Sequence, residues 1–467
     1  RCQNQVDASE AEIGKMSKLV TDAIAAGALG FSTSRTILHR DIHGKYVPGT
    51  EASSEEMRTL AFGVDKAGEG TLEITSDWLD EEMEMSWMQE YVKKSDCGLT
   101  FLQTKGDAVK TILFSEEHFL KGKNIRPQFP GRNVGLMFGW ETSVNPFIQF
   151  PAYKEIADLP IDKKLEILKD PLFKQKLLSQ EPDFESEIRA RLADNPSNKS
   201  REEIAQDVAL PTTLTSNYKT QFILGTPPNY EPKEEDSIAA IASKKNISEL
   251  EVMYDEMLQN QGTNLIYAAF TPYEKYKLDF VEQAYQLKSS VAGGSDGGAH
   301  CGLICDASMP TTNISHWGRD REAGRKFPLE MLIKKQTKDT AETFGLFDRG
   351  EIKSGMLADI NIIDFDKLNV SHPTMIHDLP LGGRRLVQDA TGYIATIKNG
   401  QVVSENGKAN GVLPGKLIRG KQVCEVKSGI SEVSFFDKTI RLLAVKTLRF
   451  FWGLSGKSMK TTIVSDA

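Results

Sequence analysis

Apolar and polar residues alternate along Thr71-Leu72-Glu73-Ile74-Thr75-Ser76 as they do in a β-strand. A helical pattern from Glu81 to Lys94 follows, and the next apolar run, Leu99 to Gln103, is again strand-like. A parallel pair of strands needs a crossover connection of about this length, usually a helix. The alternation therefore predicts an α/β protein with a parallel sheet.

The same pattern extends on both sides of this stretch. We predict strands over Phe31–Ser34, Ile125–Phe129, Asn264–Phe270 and Ser290–Gly293. Right-handed crossovers between such strands favour a (β/α) barrel or a doubly wound sheet.

Helix signals lie between and beyond the strands. Asp7-x-x-Glu10 and Ser53-x-x-Glu56 resemble capping boxes, and a long helix is predicted over Pro328–Phe344. Residues 150–220 interrupt the repeat with charged, leucine-containing helices, either a lid over an active site or a solvated decoration.

Strand patterns return after residue 345, over Ala358–Phe365 and Gly392–Ile397, and Asn399-Gly400 predicts a hairpin turn. We therefore divide the chain into a barrel unit (1–345), a β-rich module (346–420) and a tail (421–467).

The tail is basic, with six Lys and two Arg against four acidic residues. Its segment 434–454 has the pattern of an amphipathic helix, which suits a membrane surface or a partner protein as well as the body of the protein itself.

Composition excludes several classes of protein. A net charge of −8 and a pI near 5.6 are unlike the basic footprint of a nucleic-acid-binding protein. Five cysteines in 467 residues do not make a disulfide framework, so we predict that all are reduced. No run reaches the roughly 20 apolar residues of a membrane span, and no signal peptide is visible. A cytoplasmic protein with a small-molecule partner is expected.

In a (β/α) barrel, reactive side chains stand at the carboxyl ends of the strands. These positions offer Arg35, Ser76, Gln103 and, after the last strand, Asp296 between two glycine pairs. A carboxylate there can take a proton from an attacking water, or bind a metal. Asp beside glycine also commonly caps a loop, and spacing alone leaves these readings open.

Other arrangements carry weaker signals. Ser295 stands at the centre of a Gly-x-Ser-x-Gly pattern, but a loop follows where a nucleophile elbow needs a helix. His39 and His43 are four residues apart in a stretch that favours a loop over a metal-binding helix. With Arg35 and Arg40, His39 could instead hold an anionic substrate.

Several blocks of residues carry a resemblance to a known family. The chain resembles the amidohydrolase-3 family, and within it the N-acyl-D-aspartate and D-glutamate deacylases (D-aminoacylases), over about residues 5 to 420. The matching blocks are Gly27–Thr36, His39–Asp41, Val47–Thr50, Ser295–Ala307, Gln336–Ala341, Phe344–Gly350, Gly355–Asp359, His377–Pro380 and Gly382–Arg385.

The resemblance implies a metal-dependent (β/α) barrel with a small composite β-sandwich, and hydrolysis of the amide of an N-acyl-D-amino acid. Asp296 would be the last-strand aspartate that activates a water on a divalent metal, expected to be zinc. His300 would support the transition state or the metal shell. Arg35, His39, Arg40, Ser76 and Gln103 would line the substrate site.

The chain departs from the family pattern in two ways. The family's His-x-His strand, bridging ligand and first sandwich strands correspond to a region upstream of Arg1. Where D-aminoacylases carry ligand histidines on two middle strands, Ser76 and Gln103 stand here. We therefore expect negligible turnover from these 467 residues alone. The rival hypothesis is an inactive barrel that serves as a scaffold or oligomerisation partner.

Overall fold

The structure is a computed structural model of the 467-residue chain. It describes residues 7–41, 45–103, 109–195, 199–271, 273, 275–295, 297–298 and 300–423, and the backbone of 461–465.

Fifteen α-helices are numbered in chain order within the described ranges. They are α1 (Glu10–Ala25), α2 (Ser54–Lys66), α3 (Glu81–Lys94), α4 (Val109–Leu120), α5 (Pro151–Lys154), α6 (Ile161–Leu168), α7 (Pro171–Leu178), α8 (Phe184–Ala193), α9 (Arg201–Thr215), α10 (Ile238–Lys245), α11 (Glu249–Gly262), α12 (Asp279–Gln286), α13 (Met309–Ser315), α14 (Leu329–Gln336) and α15 (Lys338–Thr343).

The strands of the same ranges are numbered likewise. They are β1 (Gly30–Arg35), β2 (Thr71–Ser76), β3 (Gly98–Leu102), β4 (Ile125–Pro130), β5 (Val134–Phe138), β6 (Gln221–Ile223), β7 (Ile266–Thr271), β8 (Val291–Gly293), β9 (Ile360–Asp364), β10 (Asn369–Val370), β11 (Thr374–Leu379), β12 (Gly383–Val387), β13 (Ala390–Thr391), β14 (Tyr393–Lys398), β15 (Gln401–Glu405), β16 (Lys408–Ala409) and β17 (Thr461–Ser465).

The central element is a five-stranded parallel sheet in the order β1-β2-β3-β4-β8. Its register pairs Phe31 with Leu72 and Leu72 with Leu99. The predicted α/β class and parallel sheet are therefore confirmed. Among the described strands the sheet is open, with β1 and β8 at its edges, so the closed barrel stays a prediction.

One face of the sheet packs against helices α1 to α3. Leu72, Ile74, Leu99 and Phe101 are all at most 1% exposed, and they join a cluster that includes Tyr91 of α3. Because side chains alternate along a strand, the residues between them, such as Glu73, point to the other face. Burial there raises the pKa of Glu73 to about 7.

The predicted strand Asn264–Phe270 does not rejoin this sheet. As β7, it pairs antiparallel with β5 and β6 in a separate three-stranded sheet. The predicted place of this strand in the parallel sheet was wrong. The three residues between β4 and β5 are too few for the crossover that a parallel neighbour needs, so β5 leaves the sheet, and β7 pairs with β5. Tyr267 packs so closely on Gly135 that a Cβ there would lie 2.0 Å from the ring.

The helices predicted over residues 150–220 are present as α5 to α9, and their reading as an insertion stays a prediction. Helices α6 and α7 pack with α10 and α11 around Trp140 and Tyr254. Helices α8 and α9 have a small cluster of their own, centred on Ile188, Ile204 and Val208. The second pair is thus the less embedded part of the insertion.

Two helix predictions need correction. The capping box of α1 is Ser9 with Glu12, where Ser9 N donates to Glu12 Oε2 at 2.8 Å, and not Asp7 with Glu10. The long helix over Pro328–Phe344 is two helices, α14 and α15, broken at Thr337. The break leaves the buried carboxylate of Asp339 paired with Lys334 at the end of α14.

After residue 345 the chain forms an antiparallel sheet in the order β16-β15-β14-β9-β17. The predicted turn at Asn399-Gly400 is confirmed, with φ of 51° and 76°. Two further antiparallel pairs accompany the sheet, β10 with β13 and the hairpin of β11 and β12 that lies between them in the chain. The composite sandwich stays a prediction.

The remaining expectations are tested in part. The predicted helix over 434–454 lies outside the described residues, and β17 beyond it pairs with β9. Cys97, Cys301 and Cys305 are free thiols, as predicted, while Cys2 and Cys424 lie outside. In the part of the chain described, no helix combines the length and apolar character needed to cross a bilayer.

A buried ionic network joins the segment after β6 to the segment after α13. Glu231 accepts hydrogen bonds from His316 Nε2 at 2.9 Å and from Arg321 Nε at 3.0 Å, and Arg321 also pairs with Glu282. Burial alone would raise the pKa of Glu231, but hydrogen bonds from His316 and Arg321 hold it down to about 2.

We predict that Glu231→Gln removes stability that depends on pH. The folded pKa lies below the unfolded one, so the carboxylate stabilises the fold above about pH 4.3 and loses this effect as the pH falls towards 2. At pH 7 the variant should lose on the order of 3 kcal/mol of unfolding free energy, and the difference should shrink in acid. Chemical denaturation at several pH values measures it, with exposed Glu166→Gln as the control; an equal loss at pH 3 and pH 7 would contradict the prediction.

Candidate functional site

The carboxyl ends of β1 to β4 and β8 lie at one edge of the parallel sheet, as its register requires. The predicted base, Asp296, lies outside the described residues. Its neighbours are described: β8 ends at Gly293, where a Cβ would lie 2.8 Å from the side chain of Gln128. Only glycine lets β8 approach β4 so closely.

The loop after β8 is fixed by backbone hydrogen bonds to several other elements. Gly302 O accepts from Ser143 N, and Leu303 O accepts from Met137 N of β5, both at 2.8 Å. Cys301 O accepts from Leu386 N of β12 at 2.7 Å. Residues 301–303 of this loop are therefore anchored to residue 143, β5 and β12.

A buried ion pair also anchors this loop. Arg132, just after β4, places Nη2 2.9 Å from Oδ1 of Asp306, and both side chains are at most 2% exposed. The same Nη2 donates to Cys305 O at 3.0 Å, and the guanidinium lies 3.9 Å from the centre of the Tyr230 ring. Burial alone would lower the pKa of Arg132, but the charge of Asp306 holds it above its ordinary value.

His39 and His300 come together, although they follow strands at opposite edges of the sheet. Their ring centroids are 6.4 Å apart, with an angle of 36° between the planes. Four interstrand steps of about 4.8 Å would separate the edges of a flat sheet by roughly 19 Å. Curvature of the sheet and the reach of the two loops therefore bring these predicted site residues together.

The position of His39 is set by its neighbours at the end of β1. Its Nδ1 lies 2.7 Å from Ser34 Oγ. Earlier in the same loop, Asp77 accepts from Thr36 Oγ1 at 2.5 Å and from Ile37 N at 2.7 Å. Asp77 thus ties the β1 loop to the end of β2.

Arg35 has a different environment from that expected of a substrate-binding residue. Its Nε pairs with Glu84 of α3, and its Nη1 donates to Gly49 O at 3.2 Å and Ala52 O at 2.9 Å. Both side chains of the pair are at most 3% exposed. These contacts give Arg35 the role of joining β1 to α3 and the 49–52 turn.

Ser76 and Gln103, the other predicted lining residues, are also buried. Ser76 Oγ accepts from Trp78 N at 3.1 Å and donates to Glu84 Oε1 at 3.4 Å. Gln103 has no exposed surface, and its backbone N donates to Gln128 O at 2.9 Å. Both stand at strand ends, as predicted, within the packed edge of the sheet.

Arg40 is exposed and links the site to the helical insertion. Its Nη1 lies 3.6 Å from Asp207 Oδ1 of α9, and its guanidinium lies 4.6 Å from the centre of the Tyr46 ring. Lys199 also pairs with Asp207. The insertion therefore reaches the β1 loop, an arrangement that fits the lid reading and leaves it a prediction.

A cavity of about 470 Å³ adjoins the end of β8. Its described lining includes Ser295, Asn313, Gln336, Asn361, Tyr393 and Thr396, and contains no Asp, Glu, Lys, Arg or His. Hydrogen bonds such as Asn313 Nδ2 to Gln336 Oε1, at 3.0 Å, hold the lining in place. The cavity suits a neutral group that can form hydrogen bonds.

The fit of a metal ion can be tested on the donor set. Ser76 and Gln103 are poor ligands for zinc, which prefers imidazole and thiolate, and both are engaged in packing. Among the residues the structure describes, no three His, Cys, Asp or Glu side chains form a metal-binding group. A complete metal site is therefore not formed by these described residues.

Sequence reasoning missed Arg132 and Ser34. Asp306 lay within a matching block, but nothing in the pattern pointed to its partner 174 positions earlier. Ser34 directly precedes Arg35, and the interpretation of this strand end was based on the charge of Arg35. Only spatial proximity reveals either role.

Comparison with known proteins gives one match. Residues 278–404, about a quarter of the chain, match the model of the amidohydrolase family. The matched segment contains the loop of residues 294–306 and strands β8 to β14, and it does not include β1 to β4. No curated protein and no solved structure matches the chain.

We predict that Asp306→Ala destabilises the protein by about 3–5 kcal/mol, because it leaves a fully buried guanidinium without its partner. The double variant Arg132→Met/Asp306→Leu should recover most of this loss, since no charge remains to be compensated. Chemical denaturation measures both. A double variant as unstable as the single one would show that packing, and not the uncompensated charge, causes the loss.

Proposed function

We propose that the protein is a hydrolase of amide-type carbon–nitrogen bonds that deacylates N-acyl-D-amino acids. The amidohydrolase match over residues 278–404 supports hydrolysis of amide-type bonds, and it includes Asp296 and His300. The observation that carries the proposal is this match together with the anchored loop after β8 at the carboxyl edge of the sheet. The D-amino-acid specificity rests on the resemblance in the sequence.

The proposed reaction assigns proton transfer to Asp296, which follows β8 in the sequence. Water attacks the amide carbonyl carbon while Asp296 accepts its proton, and the same carboxyl then passes the proton to the nitrogen that leaves. The products are a carboxylate and a free amino acid, so no further reactant is needed. We assign to His300, four residues later in the sequence, the stabilisation of the charge that develops on the carbonyl oxygen.

Members of the amidohydrolase family are generally metal-dependent, and a metal would polarise the amide carbonyl. Since the described donors do not form a three-ligand site, no step is assigned to a metal here. The proposal rests on what the residues of this chain can bind and on the proton that Asp296 can move.

We assign the recognition of an anionic substrate to Arg40, one of the predicted substrate-site residues. Arg35 is buried against Glu84, whereas the side chain of Arg40 is 33% exposed, with Nη1 3.6 Å from Asp207 Oδ1. A planar guanidinium binds a carboxylate through two hydrogen bonds. The neutral cavity beside Ser295 is suited to the acyl part of the substrate.

The rival is a barrel-like scaffold that has lost catalysis. The buried states of Ser76 and Gln103, which stand where D-aminoacylases carry ligand histidines, favour it. The two hypotheses differ in the activity that they predict, because a scaffold should turn over no N-acylated amino acid.

We predict that the natural full-length protein releases acetate from N-acetyl-D-glutamate or N-acetyl-D-aspartate, and that Asp296→Asn lowers kcat by roughly 10²–10⁴. His118→Ala, on α4, is the control and should leave kcat unchanged. Measured turnover equal in the wild type and the Asp296→Asn variant excludes the assigned base. If the folded wild type cleaves no N-acyl-D-amino acid, the scaffold hypothesis holds instead.

A second prediction concerns Arg40. Arg40→Met should raise KM for an N-acyl amino acid with an acidic side chain about tenfold and leave kcat unchanged, the pattern of a lost ground-state contact. Arg40→Lys keeps the charge without the planar guanidinium, so its KM should lie between that of the wild type and that of Arg40→Met. Kinetics on N-acetyl-D-glutamate and N-acetyl-D-leucine compare the variants. An equal rise in KM for both substrates would assign Arg40 to folding of the loop.

A further inference from the structure

We propose that the amino-terminal edge of the parallel sheet carries a second binding site, which takes a free α-amino acid with an apolar side chain. A cavity of about 350 Å³ lies there, lined by the starts of β2, β3 and β4 and by residues from the segments 342–347 and 420–421. Because β1 to β4 run parallel, this edge is opposite the carboxyl ends that form the candidate site. The inference goes beyond the proposed hydrolysis, because it concerns binding at a different place.

The described lining of this cavity includes six charged side chains, and four of them form two ion pairs. Lys123 Nζ lies 2.8 Å from Asp96 Oδ1, and Arg126 Nη2 lies 2.9 Å from Glu342 Oε2. These pairs neutralise each other within the protein. The two charged side chains that remain have opposite signs.

Glu69 and Lys421 are the remaining two, and neither forms an ion pair with any residue that the structure describes. Glu69 Oε2 accepts a hydrogen bond from the backbone N of Lys421 at 3.4 Å, so the two residues are neighbours in the fold. The side chain of Lys421 extends over Phe347, with Nζ 5.3 Å from the centre of the ring. Glu69 is half-buried, and a poorly solvated carboxylate without a counter-charge favours a cation beside it.

Backbone hydrogen bonds fix the chain on both sides of the unpaired ammonium group. Gly420 N donates to Gly27 O, and Gln422 N donates to Gly345 O, both at 2.9 Å. Gly420 has a φ of 60°, and a Cβ there would lie 3.0 Å from Glu69 Oε1, so a glycine lets the chain approach this carboxylate. The backbone that carries the two charges is thus fixed before a ligand binds, which lowers the cost of ordering it.

The lining selects the class of ligand. A free amino acid carries an ammonium group and a carboxylate on one carbon atom, and these charges are complementary to Glu69 and Lys421. A ligand with only one kind of charge would leave one of the two without a counter-charge. Phe119, Phe344 and Phe347 also line the cavity, so an apolar side chain is favoured. The volume is typical of a site for a small molecule.

The test measures binding of D-leucine and L-leucine to the full chain by calorimetry. We expect one molecule of at least one enantiomer per chain. Glu69→Gln and Lys421→Met should each raise its Kd at least about tenfold, because each removes one charged partner. Exposed Glu166→Gln and Lys416→Met are the matched controls and should bind like the wild type. Isocaproate lacks the ammonium group and isopentylamine lacks the carboxylate, so both should bind at least about tenfold more weakly than leucine.

Alkylation of cysteines locates the bound amino acid. Cys97 lines the cavity and is half-buried, whereas Cys301 directly follows His300 of the candidate site. Leucine should slow the reaction of Cys97 with N-ethylmaleimide and leave that of Cys301 unchanged, as measured by mass spectrometry of the peptides. Protection of Cys301 without protection of Cys97 would place the amino acid at the candidate site and overturn the proposal.

Circular dichroism and Tm without ligand show whether each variant is folded. Absence of binding of both enantiomers by the folded wild type overturns the proposal. Undiminished binding by folded Glu69→Gln or by folded Lys421→Met overturns it too, as does isocaproate or isopentylamine binding as tightly as leucine. Because no acylated substrate is present, a failure here is distinct from a failure of the proposed deacylation.

Discussion

The ion pair between Arg132 and Asp306 is the constraint on which the candidate site depends. It joins the segment after β4 to the loop after β8, in surroundings that exclude water from both charges. Burying either charge without its partner would cost free energy. The buried positions of the two segments are therefore stable only when both charges are present. The hydrogen bonds from Ser143, Met137 and Leu386 then define the path of the loop between these anchors. His300 directly precedes the residues that these hydrogen bonds anchor.

Local patterns were enough to predict much of the fold. The strand Thr71–Ser76 and the helix Glu81–Lys94 have the predicted bounds, because alternation and helical periodicity are properties of neighbouring residues. The pairing of β7 with β5 joins residues about 130 positions apart, and nothing in either stretch indicates that partner. The break at Thr337 likewise has no signal in the sequence, because the helical pattern continues through it.

The candidate site shows the same division. Sequence reasoning placed Arg35, Ser76 and Gln103 at strand ends correctly, but it could not tell that Glu84 and the packed edge of the sheet occupy the polar atoms of Arg35 and Ser76. Charge suggested that Arg35 would bind a ligand, and burial gives it a partner within the fold. The resemblance assigned His39 and His300 to one site, but the distance between them depends on the shape of the whole sheet and could not be predicted from the sequence.

The open parallel sheet has a mechanical consequence for that approach. Neighbouring strands are locked to each other by their hydrogen bonds, so a change in twist between any two of them is small. Such changes add up across β2, β3 and β4, and their sum changes the relative orientation of the two edge strands. The separation between residues on the loops after β1 and β8 therefore depends on the twist of the entire sheet. A substitution deep in the α1–α3 layer, far from either histidine, can alter their separation without touching them.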